Sequence, residues 1–168
     1  MANTYFDPDL GAGKLQFKCT SVKVIDPAVA PVAFPNESNN VLDPSEPFKL
    51  EIEWEGQGFL LPLWMSAMAQ NWTIKAYAES IGPGADVVLA VTNEPKSNVT
   101  VSGSGAATKF KWKHTVDVPA GKLQEDTLSN SGIYQLTVTM FANSSIPGDY
   151  DVSGFTQQPI SVRVEDPA

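Results

Sequence analysis

Residues Asn130–Met140 constrain the fold more than any other stretch of the chain. Asn130-Ser131-Gly132 is a turn sequence, and it runs into strict alternation: Tyr134, Leu136, Val138 and Met140 on one side, Gln135, Thr137 and Thr139 on the other. Period-two alternation predicts a strand with one face buried and one in water. The pattern recurs as Phe48, Leu50, Ile52 and Trp54 against Lys49, Glu51, Glu53 and Glu55. It returns as Trp72, Ile74, Ala76 and Ala78, then as Phe110, Trp112, His114, Val116 and Val118 against Lys109, Lys111, Lys113, Thr115 and Asp117. Ile160, Val162 and Val164 close the series, and Asp86 to Thr92 reads as a further strand. Gly56-Gln57-Gly58, Gly82-Pro83-Gly84 and Pro119-Ala120-Gly121 punctuate these runs. A chain of 168 residues suits one domain with a sizeable core. About seven to nine strands, with almost no helix, predict an all-β antiparallel sandwich.

Gly132-Ile133-Tyr134, a Gly followed two residues later by Tyr at the mouth of a buried strand, resembles the tyrosine corner of immunoglobulin-like sandwiches. There the Tyr hydroxyl bonds back to backbone just upstream and pins the corner between two strands. Asn130 and Leu136 stand where the antibody pattern has Asp and Cys. The resemblance implies an immunoglobulin-like antiparallel β-sandwich and carries no activity, since that fold hosts many.

The rest of the chain divides around these strands. Residues 1–13 read as an N-terminal arm, and 14–168 as a single sandwich. Lys14 to Ile25 is an expected strand, with Leu15, Phe17 and Cys19 in one phase and Val22 and Val24 in the other. Such a slip predicts a bulge or a change of sheet near Thr20 and Ser21. Residues 26–47 hold five prolines, which cannot donate to a ladder, so this reads as an extended connection. Phe59 to Met68 is the most apolar stretch, and Leu61, Met65 and Met68 recur at helical spacing; a short helical turn is expected around 61–68. Thr92 to Ala107 reads as loops around a short strand at Asn98–Ser102, and Asn143 to Gly154 as a loop.

Composition narrows the function. The net charge of −8 arises from 19 acids against 11 bases, one of them Arg163. Phosphate backbones need a basic stripe, so nucleic acid is not an expected partner. No apolar run reaches the roughly 20 residues of a spanning helix, so membrane insertion is not expected. Cys19 is the single cysteine, which excludes a disulfide within the chain. The first residues lack a basic start and an apolar core, so they read as no signal peptide. A cytoplasmic location follows by default, or an extracellular one if a leader was removed.

Catalytic signatures are sparse. His114 is the only histidine and falls on an inward phase, while Cys19 sits on an apolar face. A general base needs a positioned partner, and a buried thiol behaves as a small hydrophobe, so no enzyme is expected. Glu51, Glu53 and Glu55 mirror Lys109, Lys111 and Lys113; if their strands are neighbours, they form a solvated charge ladder rather than a metal site. Asp149 and Asp151, and Asp7 and Asp9, are weak candidates for calcium, and turn solvation explains them more simply. Trp64 and Tyr77 are the aromatics left for stacking on a sugar, because Trp54, Trp72 and Trp112 fall on inward phases.

The expected function is a non-enzymatic structural module that self-assembles into a homo-oligomer or docks a protein partner. Its candidate contact residues are Leu15, Phe17, Val22 and Val24 on a first strand able to exchange between copies, with Trp64, Met65 and Tyr77. The alternative is a ligand-binding module for carbohydrate or calcium; no other cofactor is expected.

Overall fold

Two sheets face each other across one apolar core. The computed structural model describes residues 4–11, 13–25, 41–147, 150–156 and 160–165. The first sheet has four strands in the order β2 (Gln16–Ile25), β4 (Phe48–Gln57), β8 (Lys109–Val118) and β7 (Thr100–Ser102), all antiparallel. The second is centred on β11 (Ile133–Ala142), the alternating strand of the opening argument. Along one side of β11 lies β5 (Asn71–Ser80), with β6 (Val87–Pro95) beyond it. The other side is shared. β13 (Ile160–Val164) pairs with the first half of β11 and β12 (Val152–Thr156) with the second. At the changeover the Val138 N–H, which has no strand partner there, donates to Thr156 Oγ1 at 3.1 Å. β12 is extended by β1 (Thr4–Asp7), and β13 by β3 (Val41–Leu42), the latter in parallel. A two-residue ladder of β9 (Asp126–Thr127) and β10 (Asn130–Ser131) leads into β11. Eight of the described strands reach five residues, and one short helix, α1 (Leu61–Ala67), bridges β4 to β5. The chain is an all-β sandwich, and none of its described helices is long and apolar enough to cross a membrane.

The inward phases of the sequence form the core. Trp54 and Trp112 from the four-stranded sheet stack at 5.9 Å, and Trp72 from the opposite sheet meets both edge-on at 5.7 and 5.4 Å. Phe17 lies edge-on to Trp72 at 5.9 Å. Each aromatic removes a large area from water, so truncating one of these indoles costs about 3–5 kcal/mol. The phase slip in β2 is a bulge: Cys19 pairs with Trp54, but Ser21 pairs with Glu53.

Several expectations need correction. The N-terminal arm is partly strand, because β1 pairs with β12 and buries Phe6 against Phe17. The expected loop from Asn143 to Gly154 ends in β12, a strand obscured in the sequence by Gly154. That glycine is required, since a Cβ there would lie 2.3 Å from the Phe6 ring. The connection at 26–47 is described from residue 41 onward, where β3 joins the sheet; 26–40 lies outside the described residues. Glu55, expected in water, is buried, and His114 is only partly so.

Candidate ligand-binding face

The sandwich offers two outer sheet faces and one apolar end. On the seven-stranded side, the outward row Thr137–Tyr77–Val88 crosses three strands in register, flanked by Gln135–Glu79 and Thr139–Lys75–Val91. A register shift between Ala76 and Tyr77 bulges β6 at Leu89, which turns inward and is buried. The bulge opens a shallow concavity of about 320 Å³ beside Tyr77, lined by Glu79, Asp86, Val87, Val88 and Thr137. Asp86 is held in place by the Ser80 N–H, which donates to its Oδ1 at 3.1 Å. Among the described residues, the side chains of Lys75, Tyr77, Glu79, Gln135, Thr137 and Thr139 make no hydrogen bond or ion pair. One aromatic ring surrounded by donors and acceptors free to bond elsewhere is the composition of a ligand face.

The four-stranded side is different. The acidic and basic rows do lie on neighbouring strands, and Lys113 Nζ meets Glu51 at 2.8 Å and Glu53 at 3.6 Å. Lys49 meets Asp117 at 3.3 Å. Glu55 collects Lys18 at 3.0 Å, Lys109 at 3.7 Å and Lys111 at 3.8 Å. Burial pushes the Glu55 carboxyl up, but the hydrogen-bonded Lys18 and the fields of Lys109 and Lys111 outweigh it and hold the group below its ordinary value.

The apolar end is built by α1. Pro62 occupies the first turn, where its missing N–H costs nothing. Lys96 Nζ donates to the carbonyls of Met65 and Met68 at 2.7 and 2.6 Å, a cation placed at the negative end of the helix. Ser145 ties the following loop to Ala67 through its N–H and its hydroxyl, at 2.6 and 2.7 Å. Trp64 lies half-buried with Tyr150 edge-on at 4.9 Å, so its ring is already partnered. Met65 is buried.

The remaining candidates are placed as follows. Leu15, Phe17 and Val24 are buried in their own core and Val22 packs against it, because β2 pairs along its length with β4 of the same chain. Apolar side chains that complete this core are not available to a partner while β2 stays docked. Asp151 Oδ1 accepts a short hydrogen bond from the Ser144 N–H, and Asp149 lies outside the described residues. Asp9 is engaged by the Gly11 N–H at 2.8 Å and by Gln16 Nε2 at 3.1 Å. No cluster of three metal-binding side chains occurs among the described residues. His114 Nδ1 sits 2.5 Å from Glu94 Oε2, a contact between β8 and β6 that ties the two sheets together. Burial pushes the Cys19 thiol up to about 11, aided by Glu53 and opposed by its bond to the Ser21 carbonyl.

Among the described residues, Tyr77 is the sequence candidate that borders this concavity. Asp86, Val88 and Thr137 were missed as its companions because the bulge that aligns them leaves no mark in alternation.

No protein-family model matches the chain, and no curated protein matches it. Among solved structures it is similar to the crystal structure of the C-terminal domain of wzt, at 10% identity and a TM-score of 0.48, over 99% of this chain and 80% of that one.

Proposed function

We propose that this chain is a non-enzymatic binding module whose ligand, a carbohydrate, lies on the outer face of the seven-stranded sheet at Tyr77. The observation that carries the reading is the concavity beside Tyr77, with Thr137, Glu79 and Asp86 on its walls. A sugar presents an apolar C–H face and a rim of hydroxyls, which match an aromatic ring set among short polar side chains. The build is immunoglobulin-like in this reading. The Tyr134 hydroxyl supports it, accepting from the Gln124 N–H at 3.3 Å and donating to Asn130 Oδ1 at 3.2 Å across the turn before β11. The lone histidine is engaged with Glu94 and the lone thiol is buried and protonated, which supports a role without catalysis. The test is glycan-array screening followed by calorimetry on the best ligand. Tyr77→Ala should weaken binding by at least tenfold with an unchanged melting curve. Undiminished binding by that variant would sink the reading.

The apolar end favours a second reading, self-association. Phe59 and Leu63 are each 54% exposed and Ile146 49%, on and beside α1. Exposed apolar groups gathered at one end of a domain mark contact surfaces. Light scattering over a concentration series should show mass growth that Leu63→Lys abolishes; a concentration-independent monomer removes this reading.

A further inference from the structure

We propose that Lys18, Lys109 and Lys111 form an anion-binding site over the buried Glu55, on the outer face of the four-stranded sheet and so on the opposite side of the molecule from Tyr77. The ligand class is a tetrahedral oxyanion, a sulfate or phosphate group. Register builds the site. Lys18, Glu55 and Lys111 form one cross-strand row, and Lys109 precedes Lys111 by two residues on the same face. All three ammonium groups lie within 3.8 Å of the one carboxylate. Three positive charges against one leave two unbalanced, on a chain whose net charge is −8.

The excess gathers at this node, while Lys23, in register with Glu51, stands singly. Further along the face, Lys113 is answered by both Glu51 and Glu53, and Lys49 by Asp117. Asp9, which reaches this end of the sheet through Gln16, has both oxygens engaged. Depth separates the charges by accessibility. The Glu55 side chain is 5% exposed, whereas those of Lys18, Lys109 and Lys111 are 47%, 42% and 59% exposed. The carboxylate works as a floor that gathers the ammonium groups, and their outer N–H bonds remain directed to solvent. Thr100 and Ser102 of β7, in register with Lys111 and Lys109, place exposed hydroxyls at the rim. An oxyanion seated there gains charge-assisted hydrogen bonds, with the lysines already drawn together.

The experiment is a titration of the full chain with sodium sulfate at low ionic strength, followed by amide NMR shifts, with sodium chloride at matched ionic strength alongside. The expected result is saturable shifts confined to residues 18, 55, 100–102 and 109–111, at least threefold larger than in chloride. Lys111→Gln should weaken sulfate binding about fivefold. Glu55→Gln, which removes the competing negative charge, should tighten it by a similar factor; if that variant fails to fold, Lys18→Gln serves as a second weakening variant. Shifts equal to those in chloride, or spread evenly over all lysines, mean screening alone and overturn the site. So does Glu55→Gln folding normally without tighter binding. Comparing inorganic sulfate with a sulfated disaccharide and its desulfated form then separates a free oxyanion from one carried on a sugar, through equal or tighter affinity for the sulfated sugar.

Discussion

The two outer faces of this sandwich solve the same problem, a polar surface over an apolar core, in opposite ways. On the four-stranded side, charged rows are set opposite each other by register, and long side chains reach across strands to satisfy one another. On the seven-stranded side, the outward polar groups around Tyr77 are short or unpaired, and a bulge has opened a hollow among them. The first face spends most of its polarity internally, with a surplus of cations gathered at the Glu55 node. The second leaves its polarity available. A surface whose hydrogen-bonding capacity is already used has little to offer a neutral ligand, so the proposed carbohydrate site belongs on the Tyr77 side and the proposed anion site at the Glu55 node of the other.

Charge reversal at the floor of the node should break the contrast most strongly. Glu55→Lys would place a fourth ammonium group under three others in a buried position, and is expected to destabilise the fold by about 3 kcal/mol or more. Glu79→Lys on the other face should stay within about 0.5 kcal/mol of the parent. Urea titrations of both variants check the pair, and equal losses would erase the distinction between the faces.

The inner side of the charged sheet can be probed through Cys19, which lies on the same edge strand as Lys18. With its thiol pushed up to about 11 and its side chain buried, disulfide exchange with an aromatic reagent near pH 7.5 should be slower than for a free thiol by more than about a hundredfold. Full reactivity should return in urea. Fast labelling under native conditions would mean that β2 leaves its sheet, and would restore strand exchange as a route to assembly.

Acid should act on one face before the other. The Glu55 carboxyl is held below its ordinary value of 4.5 in the folded state. Its stabilising contribution is therefore complete above that value and is lost as pH falls through the lower folded one. The parent should lose stability across that acidic window more steeply than Glu55→Gln, as seen in melting temperatures taken from pH 5 downward. Parallel curves would show that the lysines do not act on this carboxylate. The smallest effect is expected at the exposed Lys49–Asp117 pair, where Lys49→Ala should leave the melting temperature within error of the parent.

Much of the architecture was legible in alternation. The inward phases of β4, β5, β8 and β11 became the core, the helical spacing at 61–68 became α1, and the slip at Thr20 became a bulge. Alternation also set the charged rows on neighbouring strands face to face, because a period-two strand keeps every second side chain on one side. It failed where strands were short or interrupted. β1 and β12 have too few residues for a pattern, and Gly154 breaks the only one there is. Gly132, by contrast, announces its turn: it sits at φ 64°, and a Cβ would lie 2.6 Å from the Asp126 N.

The functional surfaces divide along the same line. The sequence by itself determined an acidic all-β sandwich, an outward Tyr77 and opposed rows of Lys and Glu, because these follow from local periodicity and composition. Only the tertiary structure decided that Tyr77 borders a hollow, that Trp64 is covered by Tyr150, and that β2 closes its own core. It alone gathered three lysines from two strands over a carboxylate on a third. Those outcomes depend on where a bulge shifts register and on which strands lie side by side, and pairing between residues 18, 55 and 111 is invisible to any pattern read along one strand.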